Sequence, residues 1–157
     1  MTPRVPLARR VRVYSDPLQH AALAAFVVAP LAARTERRIV RTALVAAWVI
    51  DVDHVVAARS ARPRDTTALP ARPPTHSLLT AACAACVVWM AGAPWHGWSA
   101  FAVLGSHLLH DAGDRAAPTP VLWPFRPARQ LGRRAQLAGT VALTMASAAA
   151  GRYAARA

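Results

Sequence analysis

Five apolar runs, at about 18–33, 39–57, 76–95, 98–113 and 135–151, alternate along the chain with short polar or proline-rich segments. Each run is 16 to 20 residues long. As helix, at about 1.5 Å per residue, such runs reach roughly 24–30 Å, near the thickness of a bilayer core. Residues 78–95, LLTAACAACVVWMAGAPW, carry no charge at all, and so small a chain has little room for a helix buried on every side. The pattern predicts an all-α fold: a polytopic membrane helical bundle of four to five transmembrane helices, the first being the weakest span. A soluble bundle of alanine-rich helices is the competing architecture. Proline-rich stretches at 63–74 and 117–127 predict loops, because proline removes a backbone donor and turns its predecessor away from helix. The expected organisation is a basic N-terminal lead-in over 1–17, one membrane-embedded helical domain over 18–151 and a tail over 152–157.

Charge sharpens this picture. The 157 residues are 55% hydrophobic yet carry a formal charge of +12, and the two properties are segregated, with the basic residues lying almost wholly between the apolar runs. All 19 basic residues are arginine. Arginine grips phosphate oxygens in pairs, so the loops suit lipid headgroups or a phosphate-containing substrate, and more weakly nucleic acid or a regulatory protein. A G+C-rich coding sequence also raises arginine, alanine and proline together, which weakens any reading of individual arginines. With the N-terminus inside, 13 arginines fall in cytoplasmic segments and 6 outside. This predicts a cytoplasmic N-terminus. The apolar stretch at 21–29 has too long a leading segment for a secretory signal and is read as a retained first helix. Cys83 and Cys86, the two cysteines, have no soft ligands at matching depth and are read as small packing residues.

The polar residues within the apolar runs carry the chemistry. In alternating helices, the start of one lies beside the end of the next. His20 opens the first run; Asp51, Asp53 and His54 close the second; His76 opens the third; His107, His110, Asp111 and Asp114 close the fourth. All of them converge on one boundary, which the arginine count makes the cytoplasmic one. Residues 107, 110, 111 and 114 occupy one arc of roughly 100° on a helix. Asp51 and His54 share a face at i, i+3, whereas Asp53 points elsewhere on a continuous helix. Thr75, behind Pro73 and Pro74, is the expected N-cap, with His76 in the first turn.

Charges within a span cost roughly 2.5–3.5 kcal/mol each at its centre, so they face a partner or a cavity. A metal ion is such a partner; interhelical hydrogen bonds and Asp–Arg pairs are the alternative. Imidazoles and carboxylates without thiolates suit zinc foremost, with manganese or iron also accommodated. Such a cation polarises a phosphoryl or carbonyl oxygen, which is hydrolase chemistry. His20, Asp51, His54, His76, His107 and Asp111 are the candidate ligands. Asp53 and Asp114 are the candidate general bases or ligand-orienting groups, and Arg72 with Arg115 would neutralise phosphate. A non-enzymatic membrane protein, with a structural metal or polar network and a basic docking surface, is the second reading. Metal transport ranks last, because it needs polar residues through the full bilayer depth, and past His76 at its opening the third run, like the fifth, carries no charged residue or histidine. Trp95, His96 and Trp98 are expected in an interfacial aromatic belt between two spans. Trp123 and Phe125 are candidates for anchoring their loop at headgroups.

The order His20, DVDH at 51–54, RPPTHSLL at 72–79, GSHLLHD at 105–111 and VLWPF at 121–125 resembles the YdjM-type family of inner-membrane, metal-dependent hydrolases. The likeness covers about 20–125. More faintly, it is similar to the zinc-dependent phospholipase C and single-strand nuclease group. The resemblance implies a helical protein of the bacterial inner membrane, with Asp51, His76, His107 and Asp111 as metal ligands. His20, Asp53 and His54 would then complete a second metal or surround the first. Several positions depart from the family pattern: Ile50 stands where proline is usual, Ala71-Arg72-Pro73 replaces His-Arg-Gly and so lacks one candidate ligand, and Asp114 replaces threonine, with no matching glycine after it.

Overall fold

A computed structural model describes residues 7–33, 35, 38–91, 94–114 and 117–156. Its helices are α1 (Leu7–Ala32), α2 (Arg38–Val49), α3 (Val52–Ala58), α4 (Pro63–Thr66), α5 (Leu78–Met90), α6 (Pro94–Gly113) and α7 (Arg133–Ala154). Among the described residues, extended pairing is confined to one isolated bridge between Thr119 and Arg129. Residues 1–6 of the expected lead-in lie outside the described residues, and α1 begins at Leu7.

α6 is the axis of the bundle, packing against α1, α2, α5 and α7. Twelve of its 20 residues are buried, so it is enclosed on most of its circumference. Small residues allow this. A Cβ on Gly97 would stand 2.9 Å from the Ala85 carbonyl oxygen, so glycine there lets the α5 and α6 backbones approach. Ala24, Val27, Val28, Ala43, Ala47, Ala102 and Val103 form the apolar core between α1, α2 and α6. Trp95 and Trp98, expected in an interfacial aromatic belt, pack partly buried on Leu31, Ala32 and Ile39. The Trp98 indole also donates to Ser147 Oγ at 3.4 Å. His96 sits in the first turn of α6, since Pro94 starts the helix earlier than the hairpin reading placed it.

The all-helical expectation holds, but the transmembrane one does not. Among the described residues, no helix is long and apolar enough to cross a membrane. The apolar runs are shorter or more diluted as helices than they are as strings. The second run breaks into α2 and α3, of 12 and 7 residues. The third contributes only the 13 residues of α5, about 20 Å at 1.5 Å per residue, short of a core of roughly 30 Å. α1, α6 and α7 have the length, but polar residues dilute each of them: Asp16, Gln19 and His20 in α1, histidines and Asp111 in α6, and Gln136, Thr140, Thr144 and Ser147 in α7. The multi-pass topology and the cytoplasmic N-terminus rested on loops alternating across such spans, so they have no spans to carry them.

Much apolar side chain nevertheless faces outward. Trp48, Val49, Val52 and Val56 on α2 and α3, Trp89 and Met90 on α5, and Leu122, Trp123 and Phe125 in the loop before α7 are all exposed. Cys83 and Cys86 are exposed as well, because α5 turns Ala81 and Ala85 inward and leaves the cysteines on its outer side. They are not packing residues.

Candidate metal centre

The break between α2 and α3 builds one wall of the site. From Asp51 to His54 the backbone switches to i→i−3 hydrogen bonds: Asp51 N–H to Trp48 O at 3.2 Å, Asp53 N–H to Ile50 O at 3.3 Å and His54 N–H to Asp51 O at 3.1 Å. On a continuous helix, two residues two apart point some 200° from each other. The tightened turn instead brings both Asp51 and Asp53 to the cluster. Asp51 holds the N-cap position of α3 without capping it, because its carboxylate is turned toward histidines.

His76 comes from the turn before α5, held by a hydrogen bond from its N–H to Pro73 O at 2.9 Å. The N-cap of α5 is Ser77, whose hydroxyl accepts from Thr80 N–H at 3.3 Å. Thr75, the expected cap, instead donates its hydroxyl to Asp53. His107, His110 and Asp111 project from the last two turns of α6, and His20 reaches in from α1.

Four atoms define the centre. His76 Nε2 lies 3.3 Å from Asp111 Oδ2 and 3.8 Å from Asp51 Oδ1, and His107 Nε2 lies 3.4 Å from each of the same two oxygens. Tetrahedral ligands bonded at about 2.0–2.2 Å stand roughly 3.3–3.6 Å from one another. Three of these four distances have that spacing, and the fourth, His76 Nε2 to Asp51 Oδ1, is slightly longer at 3.8 Å. His76, His107 and Asp111 are completely buried, whereas Asp51 keeps 35% of its side chain exposed, so access is from the Asp51 side. Neither Nε2 makes a hydrogen bond, nor does either oxygen of Asp111. The contacts at 3.3–3.4 Å are close approaches of opposite charge without hydrogen-bond alignment.

The surroundings orient these atoms. Asp53 Oδ2 accepts from His76 Nδ1–H at 2.9 Å, and Asp53 Oδ1 lies 2.9 Å from His54 Nδ1. An imidazole donating through Nδ1 must either turn a lone pair at Nε2 toward two carboxylates or carry a second proton there. A cation between them removes the conflict, and a carboxylate behind a ligating histidine is the usual support for one. On the other side, His20 Nε2 is 2.7 Å from His110 Nδ1 and 3.1 Å from Asp111 Oδ1. His110 Nε2 is 3.2 Å from Gln19 Oε1, to which it donates, so His20 donates to His110. This places the lone pair of His20 Nδ1 on the side of Asp51 Oδ2, 3.8 Å away. Arg72 Nη2 contacts Asp111 Oδ1 at 3.0 Å and Asp114 Oδ2 at 3.6 Å.

Burial alone would raise the carboxyls of Asp51 and Asp111, but the surrounding histidines, His107 first, outweigh it and hold both well below the usual range. Asp53 is lowered in the same way, by His54, His76 and Thr75. Burial would likewise lower the His76 imidazole, yet Asp51 and Asp53 push it up to about 9.

Every residue singled out in the sequence as a ligand or reacting group is thus in one cluster, except Arg115, which lies outside the described residues. Four overlapping trios can each hold a metal ion: His20/His110/Asp111, His20/Asp51/His107, Asp51/His54/His76 and His76/His107/Asp111. The sequence pattern did not assign Gln19, or Thr75 as partner of Asp53. His110 lay on the right arc without a role; its position beside Asp111 was the available signal.

A helical bundle that buries a histidine–aspartate cluster able to hold a metal ion is the class of protein this structure defines. The sequence profile of the YdjM inner membrane protein family matches residues 16–155, and the chain belongs to that family. The family's description places it at the inner membrane. No curated protein and no solved structure matches the chain.

Proposed function

We propose that this protein is a metal-dependent hydrolase of the inner membrane acting on a phosphoester, such as a lipid headgroup. The observation that carries the reading is the set of four buried or half-buried ligand atoms at 3.3–3.8 Å spacing, backed by Asp53 on His76. His76, His107, Asp111 and Asp51 would hold the ion, with His20 Nδ1, 3.8 Å from Asp51 Oδ2, as a further donor. Zinc suits this set best, and manganese or iron also fits. Bound there, the metal supplies Lewis acidity toward a phosphoryl oxygen.

The chain's own groups divide the remaining work. Asp53, with His54, Thr75 and His76 on its two oxygens, orients the His76 ring. Asp114, partly exposed beside Arg72, would serve as the proton acceptor. Arg72 acts on the centre through Asp111, because its guanidinium is already engaged there. The exposed apolar residues of α2, α3, α5 and the 121–125 loop would keep the protein at the lipid surface. The test is hydrolysis of a panel of phosphomonoesters and phosphodiesters, including lipid headgroups, by purified protein. Activity should vanish on chelation, return with zinc, and be absent in His107→Ala. A protein that binds metal but cleaves none of the panel would refute hydrolysis and leave the non-enzymatic reading. That second reading takes two forms: a polar network, in which the Arg72–Asp111 and His54–Asp53 pairs tie the cluster together without an ion and thermal stability is indifferent to chelator, or a structural metal, in which chelation lowers stability.

A further inference from the structure

We propose that the Arg72 guanidinium is a built-in second cation, which occupies the Asp111 Oδ1 side of the cluster and restricts the centre to a single metal ion. The inference rests on the metal-site reading above and adds its stoichiometry. The ligand supply exceeds what one ion needs, since four trios overlap through Asp51 and Asp111. Asp111 divides them. Its Oδ2 faces His76 and His107, at 3.3 and 3.4 Å, while its Oδ1 faces His20 at 3.1 Å and His110 at 3.9 Å. A second ion held by His20, His110 and Asp111 would have to use Oδ1.

Arg72 Nη2 already lies 3.0 Å from that oxygen. It is fixed there: its side chain is only 10% exposed, the same Nη2 lies 3.6 Å from Asp114 Oδ2, and its backbone N–H is bonded to Pro118 O at 3.1 Å. A divalent ion at Oδ1 would sit beside a permanent positive charge in a site shielded from water, where like charges repel strongly. The two histidines are also committed elsewhere, since the 2.7 Å contact between His20 Nε2 and His110 Nδ1 holds a proton that a metal would displace. The carboxylate of Asp111 thus serves one ion through Oδ2 and one guanidinium through Oδ1, and the two other trios offer no second place, since Asp51/His54/His76 and His20/Asp51/His107 each draw two of their three members from the ligands of the first ion.

The experiment is a count of zinc bound per chain. Chelator-stripped protein is reloaded with zinc, desalted and measured by native mass spectrometry and elemental analysis. Wild type should hold one equivalent and Arg72→Ala two, whereas Arg72→Lys, which keeps the charge, and Asp114→Asn, which leaves Arg72 on Asp111, should hold one. Two equivalents in wild type, or one in folded Arg72→Ala, would overturn the proposal while leaving the metal-site reading intact. No zinc in wild type would overturn both. Should Arg72→Ala not fold, Arg72→Gln is read in the same way, because it keeps a donor to Asp111 without the charge.

Discussion

Both halves of α6 carry buried residues, and they are held in opposite ways. Around Gly97, Ala100, Ala102 and Val103, the helix is fixed by close approach of small and apolar groups. Around His107 and Asp111, the same helix is surrounded by charge, and buried nitrogens and oxygens stand close without bonding. Packing of the first kind stabilises a fold outright, whereas unmatched buried polar atoms cost about 1–3 kcal/mol each. The contrast assigns stability to one end of the helix and function to the other.

Changes at each end should therefore have separable effects. The largest is expected for His107→Leu, which fills the volume but removes both unmatched nitrogens. Zinc binding measured by calorimetry should be lost, while the melting temperature of the chelated protein changes little, because losing two unmatched nitrogens offsets losing a partner of Asp51 and Asp111; a large fall in stability would erase the contrast. Asp53→Asn removes the support behind His76 and should weaken zinc binding by about 10–100-fold, as loss of such outer partners does. Gly97→Ala tests the other end. Its new Cβ would meet the Ala85 carbonyl oxygen at 2.9 Å, so thermal denaturation should show a loss of about 1–3 kcal/mol, with zinc affinity unchanged.

The smallest effect is in the pH dependence. Because the His76 imidazole is raised from 6.5 to about 9, its contribution to the chelated protein is full below pH 6.5 and is lost as pH rises through 9. Asp51, Asp53 and Asp111 are depressed, so their contribution is present above the ordinary carboxyl value of 3.8 and is lost on acidification below it. Metal needs the neutral imidazole, which reverses the alkaline trend. Melting curves with chelator and with zinc should diverge between pH 6.5 and 9, and parallel curves would contradict the assignment of His76.

The cluster was legible because its members follow helical spacing or sit in short polar words within apolar sequence. His107 and Asp111 at i, i+4, DVDH and THS all stand out on that basis. The break at Ile50 and Asp51 was not legible, since no glycine or proline marks it, and without the break Asp53 would have pointed away. The spans were overread because hydropathy measures how apolar a run is and not where helix starts or stops. Ser77 starts α5 two residues after the proline-rich loop would have had it, and Ala91 ends it. Alanine and cysteine are similarly apolar in a pattern, so nothing in CAAC distinguished the buried Ala85 from the exposed Cys83 and Cys86.

The central claim is that His76, His107, Asp111 and Asp51 enclose one cation. X-ray absorption at the zinc edge of the reloaded protein tests it most directly. The account predicts four or five nitrogen and oxygen neighbours at about 2.0–2.2 Å with imidazole scattering. Sulfur neighbours at about 2.3 Å, which would move the metal to Cys83 and Cys86, or a spectrum free of imidazole would contradict it.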